Sequence, residues 1–123
     1  MKGSLFVGCG GFLGAIMRYH LGSWLMQWVE PEKYPVGTLV VNLVGCLVMG
    51  IFVGLTKNYV AWENHNLHLL FSTGLLGGFT TFSAFGLESV FLLQRGEIGI
   101  AIIYILSSVF GGLGAVWLGL KVL

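Results

Sequence analysis

Charged side chains are scarce in this sequence. Six Lys and Arg and five Asp and Glu make up 9% of its 123 residues, whereas 56% are hydrophobic. The mean hydropathy is +0.90, and a soluble domain typically carries about 25% charged residues. This composition excludes a water-soluble domain and predicts a membrane protein. No enzymatic activity and no nucleic-acid partner are expected.

Cysteine is also scarce, with two residues, Cys9 and Cys46. Both fall within apolar runs, where we interpret them as reduced core residues and not as a disulfide or metal pair. The three histidines, His20, His65 and His68, show no recognisable metal-ligand spacing. No role is assigned to them.

The few charges divide the chain into long apolar runs. A helix needs roughly 20 residues to cross about 30 Å of hydrocarbon, and each run reaches that length. We predict one domain, 1–123, of four transmembrane helices with approximate spans 3–29, 35–56, 64–93 and 98–120. The first run is interpreted as a retained helix, because Arg18, Trp24 and Trp28 stand where a signal peptide would have a small-residue cleavage site.

The chain also lacks a clear bias of Lys and Arg to one side of the membrane. With four crossings, Lys2, Lys57 and Lys121 lie on one side, and Lys33 and Arg95 lie on the other. Because the excess of Lys and Arg in short loops directs insertion, a near balance predicts insertion in both orientations. The expected assembly is an antiparallel pair of identical chains.

Glycine, in contrast, is abundant, with 20 residues. Several occur four residues apart, including Gly10 with Gly14 and Gly50 with Gly54. In lipid, helices associate through close backbone approach at small residues. These pairs predict tight helix contacts, either within one subunit or between subunits.

Two charges are embedded in the predicted spans. Arg18 either extends its side chain to the Trp-rich end of its helix or faces a water-filled vestibule, where it would attract an anion. Glu88 could pair with Arg18, act as a proton site or lie near a pore mouth. The sequence alone does not decide among these alternatives.

Uncharged polar groups form two stripes on the predicted helices. Thr38 and Asn42 lie four residues apart on one face, and the amide of Asn42 needs hydrogen-bond partners in an apolar helix. Tyr104, Ser107 and Ser108 likewise share one side of the last helix. The first stripe fits either hydrogen bonding between helices or a polar lining, and the second alone is weak evidence, because serines in membrane helices often bond to their own backbone.

The stretch GGFTTFSAF, 77–85, is the least helix-like part of the third span. Its paired glycines and β-branched threonines predict a break near the middle of the helix, and such breaks commonly mark ion sites. After the break, Phe82 and Phe85 would present two rings on one face, near Thr81 and Ser83. Aromatic rings have an electropositive edge that can contact an anion, although ordinary packing explains most such pairs.

These motifs together resemble the Fluc (CrcB) family of fluoride channels. The resemblance covers the whole chain and depends on three segments: Gly14, Arg18 and Tyr19 in the first span, GTLVVNLVG around Asn42, and GGFTTFSAF with Phe82 and Phe85. It implies an all-α membrane protein with a broken third helix, assembled as an antiparallel dual-topology homodimer in membrane lipid.

The resemblance also implies two fluoride pathways per dimer. Asn42 would donate hydrogen bonds to the ion, and Phe82 and Phe85 would contribute ring edges from the two chains. The remaining pathway residues would be Thr38, Thr81, Ser83, Tyr104 and Ser108. The family usually has a second threonine where this chain has Ala84, so any hydroxyl contributed there is missing.

Two further features of the family carry over. A structural Na⁺ at the two-fold axis would be bound by the main-chain carbonyls of Gly77 and Thr80. Arg18 and Glu88 match positions at the vestibules.

The function implied is passive export of cytoplasmic fluoride through the inner membrane of a bacterium, which would give fluoride resistance. The alternatives are a proton-coupled exporter of cationic compounds with Glu88 as its coupling site, and a non-transporting membrane subunit. Arg18 counts against the exporter, because a fixed positive charge disfavours a cation.

Overall fold

The computed structural model describes residues 2–29, 33–58 and 65–122. Within these ranges the chain is helical apart from short connections, and no strand occurs. The helices are α1 (Lys2–Leu25), α2 (Val36–Asn58), α3 (His65–His68), a π-helical segment (Leu69–Leu76), α4 (Gly77–Phe79), α5 (Phe82–Gln94) and α6 (Ile98–Lys121). The prediction of an all-α protein is confirmed.

Among the described residues, three stretches are long and apolar enough to cross a membrane: Val36–Thr56, Asn66–Gln94 and Ile98–Lys121. The chain is therefore a multi-pass membrane protein. Helix α1 has 24 residues, which is roughly 36 Å at 1.5 Å per residue, but it is less apolar than the other three. A fourth crossing by α1 stays a prediction.

Helices pack through glycines at two interfaces. A Cβ on Gly14 of α1 would overlap the carbonyl oxygen of Leu75, and one on Gly50 of α2 would overlap that of Val116 in α6. Gly119 of α6 lies equally close to the backbone of α2 at Leu47. The predicted tight contacts at glycines are confirmed, and these lie within one chain.

Gly14 gives the sharpest test of this packing. Gly14→Ala is expected to lower the free energy of unfolding by about 1–3 kcal/mol, because the added methyl group must displace the backbone of the π-helical segment. Gly8→Ala is the control on the same helix, since its Cβ would meet nothing within 4 Å. Thermal unfolding in detergent measures both variants, and equal melting temperatures would contradict this account of the packing.

The third spanning stretch is not a uniform α-helix. Leu69–Leu76 is π-helical, a feature that the sequence did not predict, and the hydroxyl of Ser72 donates to the carbonyl oxygen of His68 at 2.8 Å. Farther along, helix α4 ends at Phe79 and α5 begins at Phe82. Thr80 (φ −85°, ψ 158°) and Thr81 (φ −147°, ψ 120°) between them are extended.

The glycines before this interruption are themselves helical, because α4 includes Gly77 and Gly78. Gly78 serves packing instead, since a Cβ there would lie 2.7 Å from the carbonyl oxygen of Gly11 in α1. The extended backbone falls on the β-branched Thr80 and Thr81, which favour that conformation. Gly78 therefore allows close packing against α1, whereas Thr80 and Thr81 form the extended backbone.

Candidate functional site

Asn42 of α2 pairs with the extended backbone at Thr81. Its Nδ2 donates to the carbonyl oxygen of Thr81 at 2.9 Å, and its Oδ1 accepts from the backbone N–H of Thr81 at 2.8 Å. The side-chain amide thus satisfies both main-chain groups of Thr81, as a neighbouring strand would. Three residues along α2, a Cβ on Gly45 would overlap the Thr80 methyl group, so α2 fits closely against the interruption.

The interruption redirects backbone hydrogen bonds. In a continuous helix the N–H of Thr81 would bond to the carbonyl of Gly77, and the N–H of Ala84 to that of Thr80. Here the Thr81 N–H bonds to Asn42, and the Ala84 N–H bonds to the Thr81 hydroxyl at 3.2 Å. The carbonyls of Gly77 and Thr80 both lose their regular helical donor.

Arg18 of α1 reaches the same region. Its Nε donates to the carbonyl oxygen of Gly78 at 3.1 Å, so this carbonyl, like that of Thr81, accepts from a side chain of another helix. Gly78 also lies against the backbone of Gly11 in α1. Helices α1 and α2 therefore hold the interruption from two directions.

Two cavities meet at Thr81. The first, of about 440 Å³, is lined by Arg18, Tyr19, Gly22, Ser23, Met26, Gly37, Thr38, Val41, Thr81 and Ala84. The second, a groove of about 340 Å³, is lined by Asn42, Cys46, Thr80, Thr81, Phe82, Phe85, Ser108, Val109, Gly112, Leu113 and Val116. The first cavity contains the positive charge, and we name it the Arg18 cavity. The second is more apolar, and we name it the Phe groove.

The Phe groove combines hydrogen-bond donors with aromatic rings. The Asn42 amide nitrogen has two hydrogens, of which Thr81 accepts one. The Ser108 hydroxyl is buried and has no hydrogen-bond partner among the described residues. Phe82 and Phe85 lie beside these donors, with ring centroids 5.6 Å apart and planes at 54°.

Phe82 and Phe85 differ in burial. The Phe82 side chain is 82% exposed, so its ring faces outward from this chain. Phe85 instead packs on Tyr104 of α6, with ring centroids 5.3 Å apart, and Tyr104 is completely buried. Tyr34 extends this row of rings, with its centroid 5.6 Å from that of Tyr104.

The embedded charges have separate partners. Glu88 of α5 accepts a hydrogen bond from the Thr38 hydroxyl at 2.6 Å, whereas Arg18 donates to Gly78. Thr38 also lines the Arg18 cavity. The Tyr104 hydroxyl is buried and has no hydrogen-bond partner within the described ranges. In this structure Glu88 therefore hydrogen-bonds to Thr38 and not to Arg18.

The fold brings together most of the residues that the sequence singled out. The Phe groove collects Asn42, Thr81, Phe82, Phe85 and Ser108, and the Arg18 cavity contains Thr38. Ser83 lies apart on an exposed position, with its hydroxyl 3.3 Å from that of Thr81.

The sequence analysis interpreted Cys46 as a core residue and did not predict that it or Gly112 would line the groove. Cys46 follows Asn42 by four residues, and helical spacing would have placed it on the same face. Gly112 follows Ser108 by the same interval. Their small or apolar side chains gave no chemical signal.

The residues described contain no group of three His, Cys, Asp or Glu that could bind a metal ion. A cation near the interruption would therefore need main-chain oxygens as ligands. Gly77 and Thr80 supply such oxygens without their regular helical donors, so the residues fit a hard cation.

Comparison with known proteins gives the family. A family model described as CrcB-like protein, Camphor Resistance (CrcB), matches residues 5–120. A fluoride-specific ion channel FluC of Rhizobium etli is 45% identical over 121 residues, which cover 98% of this chain and 94% of the relative. Proteins of the same name from Methylobacillus flagellatus and Novosphingobium aromaticivorans are each 41% identical, over 117 and 124 residues. They cover 95% and 100% of this chain, and 91% and 97% of the respective relative. The chain therefore belongs to the CrcB family.

Proposed function

We propose that this chain is a fluoride-selective ion channel, not an enzyme, that exports fluoride passively down its electrochemical gradient. Its relatives named above are fluoride-specific ion channels. The observation that carries the proposal is the Phe groove, where an Asn42 N–H and the Ser108 hydroxyl lie beside two aromatic rings. These groups can hydrogen-bond to a small anion and contact it with ring edges.

The chemistry of fluoride explains why donors matter. Fluoride is small and strongly hydrated, so a narrow pathway must replace its lost water with hydrogen bonds, as channel filters do for cations. Thr38, Thr81 and Ser83 provide further hydroxyls near the interruption. Together with the Asn42 amide and Ser108 they form the polar track of the proposal, and Tyr104 positions it by supporting the Phe85 ring.

The functional unit of the proposal is an antiparallel homodimer of chains with four crossings each and an interrupted third crossing. Phe82 is 82% exposed, and Gly77 is also exposed, so one side of the Phe groove lacks a wall within this chain. A second copy in the opposite orientation would supply that wall and give two pathways per dimer. The remaining exposed apolar surface would face lipid.

A structural Na⁺ at the two-fold axis belongs to the same proposal. The carbonyl oxygens of Gly77 and Thr80 would hold it, one pair from each chain, because their helical donors bond elsewhere. Bound Na⁺ would supply positive charge that fixes the two interruptions against each other. The hydrogen bonds from Asn42 and Arg18 hold the backbone on either side.

Arg18 is assigned to a vestibule that raises the local concentration of anions. Arg18→Gln is expected to lower fluoride flux about tenfold at low ionic strength and much less at 1 M of an impermeant salt, because salt screens the charge. Arg18→Lys keeps the charge and is the matched control, with flux near that of the wild type at low salt. The same loss at both ionic strengths would contradict an electrostatic role.

Glu88 on α5 is also assigned to the vestibule. It accepts a hydrogen bond from Thr38, which lines the Arg18 cavity, and this bond orients the carboxylate beside that cavity. A proton-coupled cation exporter would use Glu88 as its coupling site, and this alternative is not favoured, since the compared relatives are named fluoride channels. The non-transporting subunit has no observation in its favour.

Reconstitution in liposomes tests the proposal against both alternatives. Purified protein should release trapped fluoride without a proton gradient. An exporter would instead exchange a cationic compound for protons, and a structural subunit would release neither. The expected location is the cytoplasmic membrane of a bacterium, where the channel would confer resistance to fluoride that enters as the neutral acid and dissociates inside.

A further inference from the structure

The Asn42 amide hydrogen-bonds to the main chain of Thr81 through both its nitrogen and its oxygen. An amide that served only as a donor to a passing anion would not need its oxygen to accept from a backbone N–H. The amide oxygen therefore has a separate role, and the hydrogen bond that it accepts from Thr81 indicates which one.

The N–H that the Asn42 oxygen accepts is the one that would otherwise close a helical hydrogen bond to Gly77. One turn farther on, the Thr81 hydroxyl accepts the N–H of Ala84, which would otherwise bond to the carbonyl of Thr80. Two side chains thus remove the donors of two particular carbonyls. These are the carbonyls that the proposed function gives to Na⁺.

We propose that Asn42 and Thr81 are positioning residues that create the cation site, because their side chains accept the two backbone N–H groups that would otherwise occupy Gly77 O and Thr80 O. This inference depends on the sodium site of the proposed function. It assigns to Asn42, a residue of the anion pathway, control over the binding of a cation it does not touch.

The alternative is that the Asn42 amide merely ties α2 to the interruption. The two roles differ in what a substitution changes. Loss of a tie lowers stability equally at every sodium concentration. Loss of a positioning residue lets the backbone N–H return to its carbonyl, so a cation must compete with that hydrogen bond and the sodium dependence moves to higher concentration.

The experiment measures the melting temperature of the purified protein in detergent against Na⁺ concentration, without fluoride. N-methylglucamine chloride replaces sodium chloride, so that ionic strength stays constant. The wild type is expected to melt at higher temperature as Na⁺ rises, because a ligand that binds only the folded state stabilises it. The Na⁺ concentration at half-maximal effect is the quantity compared among variants.

Asn42→Ala and Thr81→Val are each expected to raise this half-maximal Na⁺ concentration about fivefold to tenfold, the equivalent of one competing hydrogen bond. Thr81→Val keeps the shape and the extended preference of the residue, and it decides the question if Asn42→Ala does not fold. Thr81→Ser keeps the hydroxyl and should restore the wild-type value.

Ser89→Ala is the matched control, because it removes a hydroxyl that donates to the Phe85 carbonyl within α5 at 2.7 Å, away from the interruption. Its half-maximal Na⁺ concentration should equal that of the wild type. An unchanged value in Asn42→Ala or Thr81→Val overturns the inference, as does a wild type that Na⁺ does not stabilise more than N-methylglucamine. Fluoride release from liposomes, measured on the same wild-type preparation, shows separately whether the proposed function holds.

Discussion

Phe82→Ile is expected to lower fluoride flux by up to about tenfold while the dimer still assembles. Isoleucine keeps an apolar side chain of moderate size but has no ring edge, and contacts with aromatic edges are worth roughly 0.5–1.5 kcal/mol each. Phe82 is 82% exposed in the single chain, so its replacement removes little packing. Fluoride release from liposomes at known protein content measures the effect.

The control for Phe82 is Phe12→Ile. Phe12 is a similarly exposed phenylalanine, at 67%, but it lies on α1 away from the Phe groove. Its flux should match that of the wild type. Cross-linking should show the same dimer fraction for both variants, and wild-type flux in Phe82→Ile would remove the ring edges from the account.

Forcing every chain into one orientation is expected to reduce fluoride flux to the level of empty liposomes. Lysines added at both termini should hold these ends in the cytoplasm, because Lys and Arg near the ends of membrane helices set the direction of insertion. With the four crossings per chain that we propose, no partner of opposite orientation would then be present to complete the Phe groove.

A second variant provides the control for orientation. Lysines added to the connection between α5 and α6, around Arg95, should favour the opposite orientation and should also be inactive alone. Co-expression of the two variants should restore flux, because one chain of each orientation is then available. Full activity of either variant by itself would show that antiparallel assembly is not required.

The sequence predicted the helices of this fold well, because their signals are local. Long uncharged runs indicate membrane helices regardless of what surrounds them. Small residues four apart likewise indicate close packing, and Gly14 and Gly50 both lie against the backbone of another helix. The sequence left open whether these glycine contacts form within one subunit or between subunits. The answer depends on which helices become neighbours.

The π-helical segment Leu69–Leu76 had no such signal. Its hydrogen-bond pattern depends on fitting α1, whose Gly10 and Gly14 approach its backbone, and single-sequence patterns do not contain that information. The sequence predicted a break within residues 77–85, and in this stretch the extended backbone lies at Thr80 and Thr81 and not at the glycines. Glycine has two uses, flexibility and close packing, and only the fold tells them apart.

The site was predicted through residue chemistry more than through geometry. Polar residues are costly in lipid, so the presence of Asn42, Thr38 and Arg18 in apolar spans indicated a specific role for each. Their hydrogen-bond partners could not be predicted, because the Thr38 to Glu88 and Asn42 to Thr81 contacts join residues 50 and 39 positions apart in the sequence. Such pairings follow from the docking of α2 on α5, which no local pattern specifies.

The central claim is that this chain carries fluoride alone and passively. The most direct measurement is the voltage at which net fluoride movement stops in liposomes, set with potassium and valinomycin and followed with a fluoride electrode. The account predicts a reversal that shifts by about 59 mV for each tenfold fluoride gradient and does not move with pH or chloride. A reversal that follows the proton gradient, or one that moves with chloride, would contradict it.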